Sequence, residues 1–335
     1  MIIKACDIPD KLRKLEALKR RIIASPEKVK EIEGEYAKVK AGYKGELSLS
    51  YFLNFLPSQQ YHIFYNVRLP SYQSGLYFQM DILLLSKNFI VILEVKNIAG
   101  QIIYDPAFQQ IIRLNSNGQE EVFKDPVLQV HRQKYQFQIW LQQQNVKQLP
   151  PIFTLAILSN PNTLIKTTSS QNNSQLQLIR PDKIPSVIKQ FENHNNLEIL
   201  NNKELKRIST KIMNSHANEG FNIFSAFHLS DENIKKGVHC PDCFHIPLSK
   251  SRYNWICSNC NHKSKNAHLF SLEDFYFLYG QVITNNDLRN FLNIPSRHQA
   301  KRILQSVHLT SSGKNRGTKY ILELNKIKNR TRANS

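Results

Sequence analysis

No stretch of this chain is apolar enough, for long enough, to read as a membrane span, and no covalent-lipid motif offers another anchor. The first residues, Met1-Ile2-Ile3-Lys4-Ala5-Cys6, lead into charged helical sequence instead of the apolar core of a signal peptide. The expectation is a cytoplasmic protein that makes no use of a membrane. Acidic side chains are scarce beside basic ones: 26 Asp and Glu against 45 Lys and Arg leave a net charge of +19 over 335 residues. A surplus of that size attracts polyanions, nucleic acid foremost, although ribosomal and architectural proteins share it. Cysteine is also sparse, with five in the chain; disulfides are one use for them, and a cytosolic location argues against that use.

What is present begins with two β-rich runs, Tyr77 to Leu85 and Phe89 to Lys96, separated by Ser86-Lys87-Asn88. A short polar turn between runs of Ile, Val, Leu and aromatics is the signature of a β-hairpin. With Lys87 and Asn88 as the turn, Ser86 faces Phe89, and counting back sets Asp81 opposite Glu94, with Lys96 on the same face. A register one residue different would separate them. Two carboxylates opposed across antiparallel strands repel unless a positive charge lies between them. A hard divalent cation such as Mg²⁺ takes oxygen ligands and keeps several waters, leaving room for a phosphate. A lysine two residues on can hold the attacking water or the phosphate as charge develops. The triplet Glu-x-Lys is common by chance, and only its setting gives it weight.

A third acidic group lies upstream. Gly42-Tyr43-Lys44-Gly45-Glu46 opens an amphipathic segment in which Leu49, Phe52, Leu53 and Leu56 recur at helical spacing. Glu46 shares the inward face of Leu49 and Leu53, and a buried carboxylate needs a partner. The competing reading puts Glu46 in a first helical turn, where it would simply favour the helix dipole.

Gly-x-x-Gly-Glu, then Gln79-Met80-Asp81, then Glu94-Val95-Lys96-Asn97 followed by Gly100, resembles the nuclease-related domain family of the PD-(D/E)XK nuclease superfamily. Asp125-Pro126-Val127-Leu128-Gln129, with Lys134 beyond, is similar to that family's Asn-Pro-x-x-Gln helix, with Asp125 in place of the usual Asn. Ile82 stands where many members carry histidine. The resemblance covers roughly residues 40 to 215 and implies a mixed sheet flanked by helices. It further implies Mg²⁺, with Mn²⁺ as a substitute, held by Asp81, Glu94 and the carbonyl of Val95. Lys96 would then assist water attack on phosphorus, with Glu46 as the helix acid and Gln129 as an auxiliary polar group.

Around this core, Asp10 to Lys40 reads as two short helices broken at Ser25-Pro26, packing on the catalytic fold or forming a basic arm. Gln101 to Tyr104 and Ile111 to Leu114 suggest strands, Pro126 to Leu141 a long helix, and Ile152 to Leu158 a strand covered on both faces. Asn162 to Gln175, rich in Ser, Thr and Asn, reads as an exposed loop, and polar helices follow to about His216.

Four of the five cysteines form two pairs, Cys240-Pro-Asp-Cys243 and Cys257-Ser-Asn-Cys260, with thirteen residues between the inner two. Each Cys-x-x-Cys turn can present two thiolates to a tetrahedral metal, so the pattern predicts a structural zinc ribbon with a full set of four ligands. His239, His245 and His262 lie near enough to compete as ligands or to support them.

The C-terminal segment resembles a helix-turn-helix with a wing. Thr284 opens a helix whose apolar face is Leu288, Phe291 and Leu292. Asn293-Ile294-Pro295 turns the chain, and Ser296 caps a second helix with Ala300, Ile303 and Leu304 inward. That leaves Arg297, His298, Lys301 and Arg302 outward, and Lys314, Arg316 and Lys319 on a wing, all candidates for DNA contacts. Protein contacts are the other use of such modules.

The expected order is therefore an N-terminal helical arm (1–40), an α/β catalytic domain (41–217), a linker (218–236), a zinc ribbon (237–268), a winged-helix-like module (269–328) and a basic tail (329–335). The expected activity is Mg²⁺-dependent cleavage of DNA. A DNA-binding or regulatory protein on a nuclease-derived fold, and an RNA-processing nuclease, are the alternatives.

Overall fold

The computed structural model describes residues 1–115, 118–146, 148–168 and 178–327. Its chain divides into two compact units, one of Met1–Ile8 with Lys40–Glu219, the other of Pro9–Val39 with Gly220–Ser335. The first strand, β1 (Ile2–Lys4), is followed by α1 (Asp10–Arg21) and α2 (Pro26–Leu53). Residues 1–40 are thus not a separate arm: β1 joins the first unit, and α1 with the start of α2 joins the second.

The second helix is also longer than the sequence suggests. Glycines at 34, 42 and 45 each cost about 1 kcal/mol in a helix interior, yet α2 runs unbroken through them. Burial of Ile32 near one end and of Leu49 and Leu53 near the other outweighs those penalties. At Gly45 the missing side chain is required, because a Cβ there would come within 2.7 Å of Ser159 Oγ and 2.8 Å of Asn97 Cβ. The residue that weakens the helix is the one that lets it lie against the sheet.

In the first unit, β2 (His62–Pro70), β3 (Tyr77–Leu85), β4 (Ile90–Lys96), β8 (Ile152–Leu158) and β10 (Leu178–Ile179) complete a six-stranded mixed sheet in the order β1-β2-β3-β4-β8-β10. The hairpin register is the expected one. Ser86 N–H donates to the Phe89 carbonyl at 3.1 Å, and Ile82 pairs with Leu93. β4 and β8 are parallel, and the run of buried residues along β8 reflects cover on both faces. On one face α3 (Pro126–Gln143) and α5 (Asn202–Ser215) bury Val130, Phe137, Trp140, Ile208 and Ile212. On the other, α2 and α4 (Ile184–His194) bury Leu49, Leu53, Ile184 and Ile188.

A second sheet of four strands, β7-β6-β5-β9, is formed by β5 (Gln101–Asp105), β6 (Gln110–Leu114), β7 (Glu120–Lys124) and β9 (Leu164–Thr167). The last corrects the loop expected over 162–175. Leu164–Thr167 pairs in parallel with β5, and because all four residues are exposed, no apolar alternation marks them in the sequence. Residues 169–175 lie outside the described residues.

In the second unit, residues 218–236 do not behave as a linker. They contain α6 (Ile223–Phe227) and bury Ile223, Phe227 and Ile234. A three-stranded ribbon of β11 (Ser249–Lys250), β12 (Trp255–Ile256) and β13 (Lys263–Ser264) precedes α7 (Ala267–Tyr279). Then come β14 (Val282–Thr284), α8 (Asn285–Leu292), α9 (Arg297–Ser306), β15 (Thr310–Ser312) and β16 (Lys319–Ile321), with the sheet ordered β14-β16-β15. Helix, strand, helix-turn-helix and two-stranded wing follow one another in a winged-helix-like arrangement. Thr284 and Asp287 form the capping box that starts α8, and Asn293 in the left-handed region (φ 53°) ends it. Ribbon and winged-helix residues share one core, with Cys240, Cys257, Leu272, Phe291 and Leu304 in the same cluster. The tail, 329–335, lies outside the described residues, and no described helix is long and apolar enough to cross a membrane.

The second unit closes around a buried ion network. Arg21 and Asp274 are both fully buried, with Nε 2.8 Å from Oδ2, and Arg20 reaches Oδ1 of the same carboxylate at 2.5 Å. Arg21 also donates to the carbonyls of Lys235 (3.1 Å) and Gly237 (3.0 Å), while His239 Nδ1 lies 3.0 Å from Asp274. The hydrogen bond with His239, followed by the charges around it, holds the Asp274 carboxyl well below its usual range against the opposing effect of burial. Removing one partner of such a pair strands a buried charge. Asp274→Asn is expected to destabilise this unit by about 3–5 kcal/mol in denaturant unfolding, and Arg21→Met with Asp274→Leu together by less than the sum of the single changes.

Candidate functional site

The polar cluster forms where the hairpin reaches the end of β4. The ladder ends at the pairing of Ile82 with Leu93, and just beyond it the Oδ2 of Asp81 accepts the Val95 N–H at 2.8 Å. The pleat is interrupted at this point on both strands. Phe64 and Val67, on either side of Asn66, pack in the same apolar cluster, as do Met80 and Leu83 around Asp81. Strict alternation would send them to opposite faces. Asn66 makes the interruption with a left-handed backbone (φ 51°), which asparagine tolerates better than most residues.

Around Asp81 the other groups arrive from β4, α3, α2 and β2. Glu94, 1% exposed, binds Lys96 Nζ through Oε1 at 2.7 Å and accepts from Gln133 Nε2 through Oε2 at 2.7 Å. Gln129 Oε1 accepts from Lys96 Nζ at 3.0 Å. Gln129 and Gln133 lie four residues apart on α3, so one helix face serves both β4 residues. Glu46 comes from deep within α2 instead of its first turn, which removes the helix-dipole reading. Asn66 Nδ2 donates to it, and Gln79 Nε2 holds Asn66 Oδ1 at 3.0 Å.

Asp125, in place of the usual Asn, still caps α3 by accepting the Val127 N–H at 2.8 Å, and it also receives the Tyr104 hydroxyl at 3.3 Å. Ile82, where many relatives have histidine, is fully buried in the apolar layer facing α2. Gln133 and Asn66 were not singled out in the sequence. For Gln133 the signal was its four-residue spacing from Gln129; Asn66 offered none, since its contacts depend on a backbone conformation the sequence does not announce.

Electrostatically the cluster is short of positive charge. Burial, then the charges of Glu94 and Glu46, raise the Asp81 carboxyl well above the ordinary carboxylate range. Glu46 is pushed up to about 7, chiefly by burial and also by Glu94, against the opposing Asn66 hydrogen bond. Lys96 balances one of three carboxylates. A cluster of this kind binds either protons or a cation, and the donor set of carboxylates beside a main-chain carbonyl suits a hard divalent ion.

The cysteines form a second candidate centre. The four Sγ atoms all lie within 4.8 Å of one another, with Cys240 and Cys260 3.7 Å apart and Cys243 and Cys257 3.5 Å apart. These are far from the ~2.05 Å of a disulfide and close to the ~3.8 Å edge of a tetrahedron whose metal–sulfur bonds are about 2.3 Å. The two turns repeat one geometry. Cys240 N–H donates to His245 O and Cys257 N–H to His262 O, while Phe244 and Asn261 take left-handed backbones (φ 59° and 58°). The histidines stand apart from the thiols. His239 is buried against Asp274 and Ser271, and His245 meets Ser258. The cluster fits a zinc ribbon.

On α9, Ala300, Ile303 and Leu304 are buried and Arg297, His298, Lys301 and Arg302 exposed, as are Lys314 and Lys319 on the wing. The side chain of Arg316 lies outside the described residues.

The carboxylate cluster has a pH consequence. With their folded-state affinities for protons raised, Asp81 and Glu46 bind more protons folded than unfolded, so without a cation the first unit loses stability as pH rises from about 4.5 through about 7. Melting of the metal-depleted first-unit transition should therefore fall between pH 5 and pH 8, and Glu46→Gln should flatten that fall. A divalent cation should raise the pH 8 transition in the parent protein and not in Asp81→Asn.

No curated protein and no solved structure matches the chain. A family model does match, and it spans this cluster from the second half of α2 to the end of β8: residues 41–159 match the model of the nuclease-related domain.

Proposed function

We propose that the protein is a Mg²⁺-dependent deoxyribonuclease whose reaction centre is the cluster at the end of β4. The observation that carries this reading is the convergence of Asp81, Glu94 and Lys96, tied together by Gln129 and Gln133, within the nuclease-related domain. The bound Mg²⁺ would be held by Asp81, Glu94 and the Val95 carbonyl, and it would supply Lewis-acid polarisation of a phosphoryl oxygen and a more acidic water.

The chain's own groups do the rest. Asp81 accepts the Val95 N–H, which ties it to the Glu94–Val95 peptide of β4. Gln133 orients Glu94, and Gln129 with Glu94 holds the Lys96 ammonium. From there Lys96 can donate to the attacking oxygen's surroundings or to the phosphate as negative charge grows. Glu46, with its raised proton affinity, can accept a proton near neutral pH.

DNA as the polyanion fits the +19 net charge and the exposed cations of α9 and the wing, which face away from the buried side of the winged-helix-like module. Zn²⁺ in the four-cysteine centre would have no open coordination position, so its role is structural, and a cytoplasmic location keeps the thiols reduced. One equivalent of zinc is expected to copurify, and Cys240→Ser with Cys243→Ser should lose it and unfold the second unit, whose core includes these residues.

The activity test uses purified protein with labelled linear, supercoiled and single-stranded DNA, with and without Mg²⁺. Asp81→Ala, Glu94→Gln and Lys96→Ala should each lower cleavage by two orders of magnitude or more, in line with the ~10²–10³ lost on removing one transition-state donor, while DNA affinity is retained. Variants that cut at the parental rate would remove this site. Parental protein that binds DNA and cuts none would favour the non-catalytic DNA-binding alternative, and cleavage confined to RNA the other.

A further inference from the structure

Beside the carboxylate cluster lies an open groove of about 430 Å³ that no step above uses. It runs between β3 and α3 and is lined by Tyr72, Tyr77, Arg132, Tyr135 and the two glutamines of the cluster, Gln129 and Gln133. Three features point to its ligand. Tyr72, Tyr77 and Tyr135 are 50%, 44% and 60% exposed, a concentration of open aromatic surface at one place. The charge is one-sided: Arg132 lines the groove, no acidic residue does, and Arg68 stacks its guanidinium on the Tyr77 ring at 3.9 Å. Gln133, 5% exposed, donates to Glu94 through Nε2 while its buried Oε1 has no hydrogen-bond partner.

Aromatic faces beside cations are the physical means of holding unpaired bases, because every base has a face to stack and a phosphate to neutralise. A duplex keeps those faces inside its own stack and cannot offer them without unpairing. The groove also leads somewhere. Gln129 and Gln133 belong both to it and to the network around Lys96 and Glu94, so a strand whose phosphate reaches the carboxylates runs its neighbouring bases past the tyrosines. Arg132 and Tyr135 further line an adjoining cavity of about 440 Å³ toward the second sheet, whose lining includes Lys124 and His131 together with the helix-capping Asp125.

We infer that this groove is a binding subsite for an unpaired DNA strand, stacked on Tyr77 and Tyr135 with its backbone on Arg132, so that the strand presented to the carboxylate cluster is single. The inference deepens the nuclease reading and rests on it for the scissile phosphate, although strand binding is measured without hydrolysis.

The test uses the full chain without added Mg²⁺ and reads fluorescence anisotropy with labelled oligothymidylate and with a blunt-ended duplex. Tyr77→Ala and Tyr135→Ala should each weaken oligothymidylate binding by about 5- to 150-fold, the range for loss of one base–aromatic stack. Tyr77→Phe and Tyr135→Phe, which keep the ring, should bind as the parent does, and duplex affinity should not change. Photocrosslinking of oligonucleotides carrying 5-iodouracil should map to peptides containing Tyr77 or Tyr135. Alanine variants that bind the single strand at parental affinity, an equal loss on duplex, or crosslinks confined to the zinc-ribbon and winged-helix peptides would each overturn the subsite. Because these readouts need no cleavage, a protein that hydrolyses nothing but shows the tyrosine-dependent binding would fail the nuclease reading alone. Duplex cleavage with unaltered single-strand binding in the variants would fail the groove alone.

Discussion

Three carboxylates brought to one end of a sheet, with Lys96 bound to one of them, set the constraint that the first unit is built to meet. Like charges in a half-buried site either take up protons or recruit a cation, and the raised proton affinities of Asp81 and Glu46 are the signature of that unmet demand. Everything around them limits the repulsion without cancelling it. The Val95 peptide N–H, the Asn66 amide and the Gln133 amide each donate to one carboxylate, and Lys96 neutralises part of Glu94. A site that were fully satisfied would be a structural ion pair. This one is left with donor capacity, which distinguishes a reactive cluster from a stabilising one.

The contrast is visible within the same chain. Asp274 in the second unit is also buried, but two arginines and a histidine surround it, and its proton affinity falls instead of rising. The network joins α1 to α7 and to the segment entering the cysteine cluster, so it has a mechanical part in closing the unit and needs no added ion. The four thiols complete that closure in another way, by supplying a full tetrahedral set. Two buried acids thus have opposite fates, decided by how many cations the fold places near each.

Much of the hairpin that carries Asp81 and Glu94 is legible in the sequence. The two-residue turn at Lys87 and Asn88 fixes the register as far as Ile82 and Leu93, which brings Asp81 and Glu94 to the same end of the hairpin, with Lys96 reaching Gln129 of α3. The helix starts at Thr284 and Ser296 are equally local, because each depends on a side chain reaching a peptide N–H three residues on. The cysteine pairs needed only their spacing. The strand at Leu164–Thr167 escaped notice for the opposite reason. Its four exposed residues carry no pattern, and its pairing is supplied by the main chain of β5.

What the sequence determined by itself was therefore whatever rests on short-range geometry: the hairpin, the helix ends, the thiolate pairs and the basic face of α9. What only the tertiary structure decided was whatever depends on distant chain coming close. Gly45 reads as a helix breaker until Ser159 and Asn97 are seen pressing on its Cα, and the helix through it then carries Glu46 to the sheet. Asn66 reads as an ordinary strand residue until its left-handed backbone interrupts the pleat beside Asp81 and puts its amide on Glu46. Residues 1–8 and 9–39 read as one arm until β1 is found in the first sheet and α1 in the second unit's core. In each case the deciding energy is burial or a hydrogen bond between residues far apart in sequence, and no local preference encodes it.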